Sequence, residues 1–368
     1  MSPGLVIRLI LSESAALLLL AACGGSGNSM PSSSMPAAAT LFTETALVSD
    51  GAVAASHTDP NLQNSWGIAF NPSGFVWVAD NGSSVATLYD GNGVPQSLVV
   101  TLPTGASGSA DPTGIVFNGT TSFSISAGGK SGVAAFIFDG EGGTLTAWSP
   151  AVNATNAIVA YDDQSGGAVY KGLALASNAG ANFLYATDFH NNKIDVFDTH
   201  FAKVTMPGGF QDPTLPAGFA PFGIQAIGTK LFVTYAMQDA AKHDDVAGAG
   251  MGFVDIYDTA GNLLQRFASR GQLNAPWGIA QAPANLGSLS GTILVGNFGD
   301  GTINAFDPAT GAFMATVTLS NNTPFKQDGL WGIAFGNGLN NQPSNTLFFA
   351  AGPNKEADGL YGRLDMKM

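Results

Sequence analysis

Trp66-Gly67-Ile68-Ala69-Phe70 is the first of six similar stretches that occur along the chain. The others are Thr113-Gly114-Ile115, Lys171-Gly172-Leu173, Phe222-Gly223-Ile224, Trp277-Gly278-Ile279-Ala280 and Trp331-Gly332-Ile333-Ala334-Phe335. Their glycines recur at intervals of about fifty residues, and a repeat of this period is typical of propeller blades or of a solenoid.

The residues after each glycine predict three further strands in each copy of the repeat. A β-branched and aromatic run follows, such as residues 75–79 or 183–187, and runs of this kind read as strands. A third run ends on an aspartate that we interpret as a structural turn residue in every copy: Asp90, Asp139, Asp198, Asp258, Asp307 and Asp365. A fourth run follows, for example residues 263–267 and 313–317. Four antiparallel strands in each of six units predict an all-β fold, the six-bladed β-propeller.

The two ends of the chain predict how the ring closes. The sixth copy ends after its third run, residues 360–365, and has no residues left for a fourth strand. Residues 41–48 form a β-rich run that precedes the first copy and belongs to none. We therefore expect the N-terminal run to supply the outer strand of the last blade, because a closed ring leaves no open edge.

Composition narrows the function classes. The formal net charge is −13, which argues against nucleic acid, since binding it requires clustered lysine and arginine. Hydrophobic residues make up 45% of the chain and charged residues 11%, as in a globular protein. We expect a monomer that contacts a membrane only through a lipid anchor.

The first 39 residues carry targeting signals. Residues 1–22 have the features of an export signal peptide, with Arg8 before an apolar run. Leu20-Ala21-Ala22-Cys23 resembles the lipobox of bacterial lipoproteins, whose cysteine is lipidated, and residues 23–39 would then form the anchor and a flexible linker. The alternative is an ordinary signal peptide with an incidental cysteine. We expect an exported lipoprotein, periplasmic or at the cell surface, with the propeller at residues 40–368.

Three motifs resemble the successive strands of NHL repeats. They are Pro276-Trp277-Gly278-Ile279-Ala280, Val76-Trp77-Val78-Ala79-Asp80 and Asn192-Lys193-Ile194-Asp195-Val196-Phe197-Asp198. The chain is also similar to a little-characterised family of exported bacterial propeller proteins. This resemblance is carried by the six glycine motifs, by residues 238–245 and by the Gly-Leu-Tyr-Gly motif near the C-terminus. The resemblance implies an NHL-like six-bladed propeller after the linker.

Many polar residues are expected on one face, formed by the loops that enter the inner strands and by those between second and third strands. Such loops usually carry function on a rigid scaffold. The histidines expected there are His57, His190 and His243, with His200 on the opposite face. The other candidates for a ligand or metal are Asp80, Asn81, Lys171, Asp188, Asp239, Asp244, Asp245, Asn297, Asp300, Asn354, Glu356 and Asp358.

Asp80, Asp188, Asn297 and Asn354 are expected at equivalent positions of four blades. Propeller hydrolases and lactonases of the broader superfamily hold Ca²⁺ with such residues, and hard cations require oxygen ligands. The resemblance therefore implies a site for Ca²⁺ or another divalent metal. The favoured interpretation is structural, because these residues recur with the repeat and can cap the turn after their strand.

The loop 236–252 of the fourth copy is not repeated, so turn chemistry explains it less well. We expect it to fold over the face that carries Asp80 and Asp188, where His243 could act as a metal ligand or a general base. A solvated surface loop is the alternative. Lys171 replaces the aromatic residue of other copies near the axis, where it could meet an anionic ligand or pair with Asp188.

Trp66, Phe222, Trp277 and Trp331 precede the repeated glycine and could form a floor on which a ligand stacks. Packing between neighbouring blades is the commoner role of a repeated aromatic residue. The sequence thus favours a module that binds an unidentified ligand or protein at the loop face. The alternative is a metal-dependent hydrolase or lactonase at the channel mouth, which would require three or four polar side chains to converge.

Overall fold

The computed structural model describes residues 39–106, 108 and 110–367, and these form a six-bladed β-propeller. The predicted signal peptide, the predicted lipobox with Cys23 and most of the predicted linker lie outside the described residues. No helix among the described residues is both long and apolar enough to cross a membrane.

Each blade is an antiparallel sheet whose four main strands run from the axis outward as inner, second, third and outer strand. In blades one to three they are Ser65–Phe70, Val76–Asp80, Val85–Tyr89 and Val100–Thr101; Pro112–Phe117, Phe136–Gly140, Thr144–Trp148 and Ile158–Asp162; and Tyr170–Asn178, Ala181–Asp188, Lys193–Phe197 and Lys203–Val204. In blades four to six they are Phe219–Ile227, Lys230–Gln238, Phe253–Asp258 and Leu263–Ser269; Pro276–Gln281, Ile293–Asn297, Ile303–Phe306 and Phe313–Thr316; and Leu330–Phe335, Leu347–Ala351, Leu360–Met366 and Leu41–Ser49.

Short elements complete the fold. Ser124–Ala127 and Lys130–Val133 form a separate hairpin, Asp245–Val246 pairs with the second strand of blade four, and His57–Thr58 and Thr318–Leu319 flank Leu41–Ser49. The helical turns are Gln164–Gly166, Gly287–Leu289 and Pro353–Glu356.

The predicted ring closure is confirmed. Leu41–Ser49 pairs antiparallel with Leu360–Met366, with Phe42 opposite Met366 and Ser49 opposite Leu360. Phe42 is buried in the core between blades five and six, and Leu47 and Val48 are buried between blades six and one. The N-terminal strand therefore covers apolar side chains on both of its faces as well as a sheet edge.

The repeated glycine marks the place where inner strands of neighbouring blades come closest. A Cβ atom built on Gly223 would lie 2.1 Å from the carbonyl oxygen of Trp277 in the next blade. Gly278 and Gly332 have the same relation to the next blade around the ring. Only glycine fits at this distance, which explains why the motif recurs in every blade.

Blade two differs from the sequence prediction. Asp139 lies in its second strand and not at the end of its third, because the hairpin 124–133 is inserted between the inner and second strands. The Asp139 carboxylate turns inward and accepts hydrogen bonds from the Thr113 hydroxyl and the Gly114 amide. Burial raises the pKa of Asp139 to about 7. Asp90, Asp198, Asp258 and Asp307 follow or end third strands, as predicted, and Asp365 lies one residue before the end of its third strand.

Candidate functional site

The aromatic residues before the repeated glycines pack against one another across the axis. The Trp66 and Trp331 rings stack with centroids 3.4 Å apart, and the edge of Trp277 meets both, at 5.8 and 5.7 Å. Phe222 reaches Trp331 at 5.8 Å, although their blades are not neighbours. These four residues, with Phe189 and Phe298, form a buried aromatic plug. The predicted packing between neighbouring blades is present, since Trp331 contacts both Trp66 and Trp277. The same residues also contact one another across the axis, and the plug is too buried to serve as an open stacking floor.

Lys171 lies on this plug and is almost fully buried, with a side-chain exposure of 2%. Its Nζ is 5.2 Å from the ring centroid of Trp66, donates a hydrogen bond to Glu141 and lies 3.4 Å from Oδ1 of Asp244. Burial alone would lower the pKa of Lys171, but the charge of Glu141 and the hydrogen bond to it raise that pKa. The expected pair with Asp188 does not form, since Asp188 pairs with Lys193. An anionic ligand is also disfavoured, because two carboxylates already neutralise the ammonium.

A hydrogen-bond chain continues on both sides of this ion pair. Nδ1 of His243 lies 2.8 Å from Oδ1 of Asp244, and Nδ2 of Asn81 donates to Oε2 of Glu141 at 2.9 Å. The hydrogen bond to Asp244 raises the pKa of His243, and the same bond lowers the pKa of Asp244 to about 2. Four predicted residues, Asn81, Lys171, His243 and Asp244, thus meet in one network.

Three further carboxyl groups face the same ammonium. Burial raises the pKa of Asp245 to about 7, and its Oδ2 is buried without a hydrogen-bond partner among the described residues. Burial, followed by the charge of Glu141, also raises the pKa of Glu356 and of Asp111. We call this set the acidic end of the channel: Asp111, Glu141, Asp244, Asp245 and Glu356 around Lys171.

The backbone conformation determines where Asp244 and Glu356 lie. The loop 236–252 extends the second strand of blade four to Gln238 and returns at Asp245–Val246, which brings Asp244 toward the axis as predicted. The Gln238 side chain ties the loop to blade three through the carbonyl oxygens of Phe189 and His190. Glu356 ends a turn in which Asn354, Lys355 and Glu356 all have left-handed backbone angles, with φ of 57°, 58° and 66°.

The remaining candidates bond to residues nearby. Asp80 accepts from Thr87, Asp188 from Asn191, and Asn297 donates to the carbonyl of Gln272. Asp239 accepts from the His243 amide within its own loop, and Asp300 accepts from Thr302. His57 lies on a short strand outside the N-terminal strand, and His200 lies at a third-to-outer turn, 86% exposed.

Asn354 is not equivalent to Asp80, Asp188 and Asn297, which contradicts the sequence interpretation. The equivalent position in blade six is occupied by Ala351, which pairs with Leu330 just as Asn297 pairs with Pro276 in blade five. Asn354 instead donates through its side chain to Asp358, and its amide donates to Asp328. The difference arises because the second strand of blade six ends on apolar residues and the polar turn comes later.

Sequence reasoning missed Glu141. The omission follows from the predicted strand order of blade two. If Asp139 ended the third strand, the turn that contains Glu141 would lie on the face opposite the candidate site. The correct register makes Gly140 equivalent to Asp80, so that Glu141 corresponds to Asn81 on the loop face. The signal that could have revealed it is the extra β-rich hairpin between Phe117 and Phe136.

The residues do not fit the calcium site that the resemblance implied. Glu141, His243 and Asp244 each offer a ligand atom, and these atoms lie within 4.8 Å of one another. An imidazole is not a donor that Ca²⁺ prefers, and the Lys171 ammonium already bonds to both carboxylates. A second group, Asp163, Asp188 and Asp195, is likewise bridged by Lys193 and Lys203.

Two proteins of Acanthamoeba polyphaga mimivirus are related to this chain in sequence. Uncharacterized protein R648 is 34% identical over 325 residues, an alignment that covers 86% of this chain and 78% of the relative. Uncharacterized protein L690 is 33% identical over 325 residues and is covered to 84%. The chain belongs to their family. Neither relative has a characterised function, so this family membership by itself transfers no activity.

Solved structures with the same fold include enzymes. A catalytically inactive virginiamycin B lyase from Staphylococcus aureus with quinupristin has a TM-score of 0.51 at 14% identity, covering 89% of this chain and all of that one. A Bacteroides thetaiotaomicron protein of unknown function has a TM-score of 0.56 at 10% identity, covering 89% and 77%. No family model matches the chain. At these identities the structures establish for this family the propeller fold alone.

Proposed function

We propose that the protein is a binding module that takes a small cationic ligand at the acidic end of its channel. The observation that carries this proposal is the excess of negative charge there. Five carboxyl groups contributed by three blades share one buried ammonium and one half-exposed imidazole. A cation that binds among them would relieve the like-charge repulsion that contributes to raising the pKa of Glu356 and of Asp111.

The ligand chemistry that fits is a protonated amine or a divalent metal ion. Both supply positive charge, and Asp244 and His243 are exposed enough to meet a ligand, with side-chain exposures of 67% and 48%. A metal ion would recruit the imidazole as a ligand, whereas an amine would use carboxylate oxygens alone.

Calorimetric titration of the purified protein tests the proposal with putrescine, MnCl₂ and CaCl₂ as separate probes. We expect saturable binding of putrescine or Mn²⁺ that Glu356→Gln weakens about tenfold, because a charge-assisted contact is lost. Asp198→Asn, on the opposite face, is the matched control and should leave the affinity unchanged. Ca²⁺, which the residues do not fit, should not bind. The proposal fails if neither putrescine nor Mn²⁺ binds, or if both variants weaken binding equally.

The alternative function, a hydrolase or lactonase, is favoured by one observation. His243 and Asp244 form a hydrogen-bonded dyad beside Lys171, which is the convergence of polar groups that an enzyme requires. A carboxylate that orients an imidazole is the usual arrangement for a general base. Turnover of an uncharged lactone that His243→Gln abolishes would establish the enzyme, and binding without turnover would exclude it for that substrate.

The proposal includes export and anchoring. Residues 1–22 would act as the signal peptide, Cys23 would carry the lipid, and residues 23–39 would link it to an NHL-like propeller at 40–368, on the bacterial cell surface or in the periplasm. Acyl chains on Cys23 would hold the protein in the membrane fraction. Cys23→Ser should move it to the soluble fraction, and equal partitioning of both forms would refute the anchor.

A further inference from the structure

The end of the channel opposite the acidic end opens into a cavity of about 560 Å³. All six inner strands contribute to its wall. A ring of aliphatic side chains lies deepest, including Ile115, Leu173 and Ile279, and Phe70, Phe117 and Phe335 follow toward the mouth. A volume of this size is within the range of small-molecule sites.

The cavity ends blindly. Its inner end narrows to a waist of about 40 Å³, which is lined by five of the repeated glycines (Gly67, Gly114, Gly172, Gly278 and Gly332) and by Trp277. Beyond the waist, the aromatic plug of stacked Trp66 and Trp331 fills the axis. A molecule that enters from this side would therefore stop against the plug and would not reach Lys171.

The wall carries no charge. Among the described residues that line the cavity, none has an ionisable side chain, and the polar side chains are Gln225 and Gln281. The inner strand is the last strand of each sheet, so its second edge has no partner strand and turns toward the channel. This edge offers backbone donors and acceptors without any net charge.

We infer that this cavity binds an uncharged organic molecule that has both apolar surface and hydrogen-bonding groups, at a site separate from the acidic end. Phe70, Phe117 and Phe335 are partly exposed along the wall, and contact with the apolar part of a ligand would remove this aromatic surface from water. An ionised ligand would lose its hydration without gaining a counter-charge. The inference does not depend on the cation proposal, since it uses none of the same residues.

Two fluorescent probes that share one aromatic framework test the inference. N-phenyl-1-naphthylamine is uncharged, whereas 1-anilinonaphthalene-8-sulfonate carries a sulfonate on the same ring system. We expect the full-length protein to bind one molecule of the uncharged probe per chain and the sulfonate at least about tenfold more weakly.

Filling the cavity locates the site. Ala226→Phe and Gln281→Phe add a ring to the wall and should each weaken binding of the uncharged probe about tenfold. Ala181→Phe places the same ring at an exposed position outside the cavity wall and should have no effect. Two variants are used because Ala226 also packs against a core cluster, so that its substitution can disturb the fold as well as fill the cavity. Gln281 is exposed, so its substitution tests the cavity alone. Equal binding of both probes, or binding that neither cavity variant weakens, would overturn the inference.

Discussion

The two ends of the central channel are formed by the same six inner strands, yet they differ in chemistry. The open end is lined by the repeated part of the motif, such as Ile68 and Ile333, and its wall is uncharged. The acidic end begins one residue before the repeated glycine, where Lys171 takes the place of an aromatic residue, and non-repeated loops bring carboxylates to it. The comparison indicates that the repeat determines the channel, whereas departures from the repeat determine what each end can bind.

Deleting residues 39–50 should have the largest effect, because it removes the strand that closes the ring. Both ends of the central channel depend on this closure. Leu41–Ser49 covers a sheet edge and two apolar clusters. We expect the truncated protein to lose its cooperative thermal unfolding transition, measured by circular dichroism. Deleting residues 1–38 is the control and should preserve the transition. A truncated protein that melts like the control would show that ring closure contributes little.

Lys171→Met should affect the acidic end alone. The substitution leaves Glu141, whose side chain is 13% exposed, without its cation, and removing one partner of a buried ion pair costs about 3–5 kcal/mol. Denaturant unfolding should therefore show a loss of about 3 kcal/mol. Adding Glu141→Gln should restore about 1 kcal/mol or more, because the stranded charge is removed. No recovery in the double variant would mean that Lys171 contributes through packing and not through charge.

Gly223→Ala should disturb the contact between the inner strands of blades four and five, beside the waist. The new methyl group would overlap the carbonyl oxygen of Trp277, and overpacking of this kind costs about 2 kcal/mol. Gly119→Ala is the control, since the nearest atom there belongs to the side chain of Phe117, at 3.2 Å. Equal midpoints of urea unfolding for the two variants would contradict the close approach of the blades.

Asp245→Asn should have the smallest effect of these changes below about pH 4, where both states hold the proton, and its effect should appear in the pH dependence of stability. Burial raises the pKa of Asp245 to about 7 in the native state, against about 4 in an unfolded chain. Between these values the native state holds a proton that the unfolded state releases, so this group's contribution to stability falls as pH rises through the window. Asparagine cannot ionise, so the variant should gain stability relative to wild type as pH rises from about 4 to about 7, and it should remain the more stable protein above that range. Parallel pH profiles of the two proteins would rule out a raised pKa.

Low pH gives a separate signal from the same end. Asp244 has its pKa lowered to about 2, so the stability it contributes is lost only as pH falls below the unfolded value of about 4. Asp244 therefore lowers stability as pH falls below about 4, whereas Asp245 lowers it as pH rises from about 4 to about 7.

The sequence by itself determined the framework of this protein. Six spaced glycines indicated six blades, and a surplus strand at one terminus and a missing strand at the other indicated the closure. Both follow from local chemistry, because a glycine at a close backbone approach and a β-rich run between turns can be read without knowledge of distant contacts.

Only the tertiary structure decided what meets at the axis. Glu141 and Lys171 are thirty positions apart, Asp244 is further still, and their convergence depends on blade register and on the path of one loop. The hairpin in blade two shifted that register by a whole strand and hid Glu141, while Asn354 resembled its supposed counterparts only in residue type. The same dependence holds for the aromatic plug, since the contacts of Trp66 with Trp331 and with Trp277 form only when the ring closes and are not determined by its local sequence.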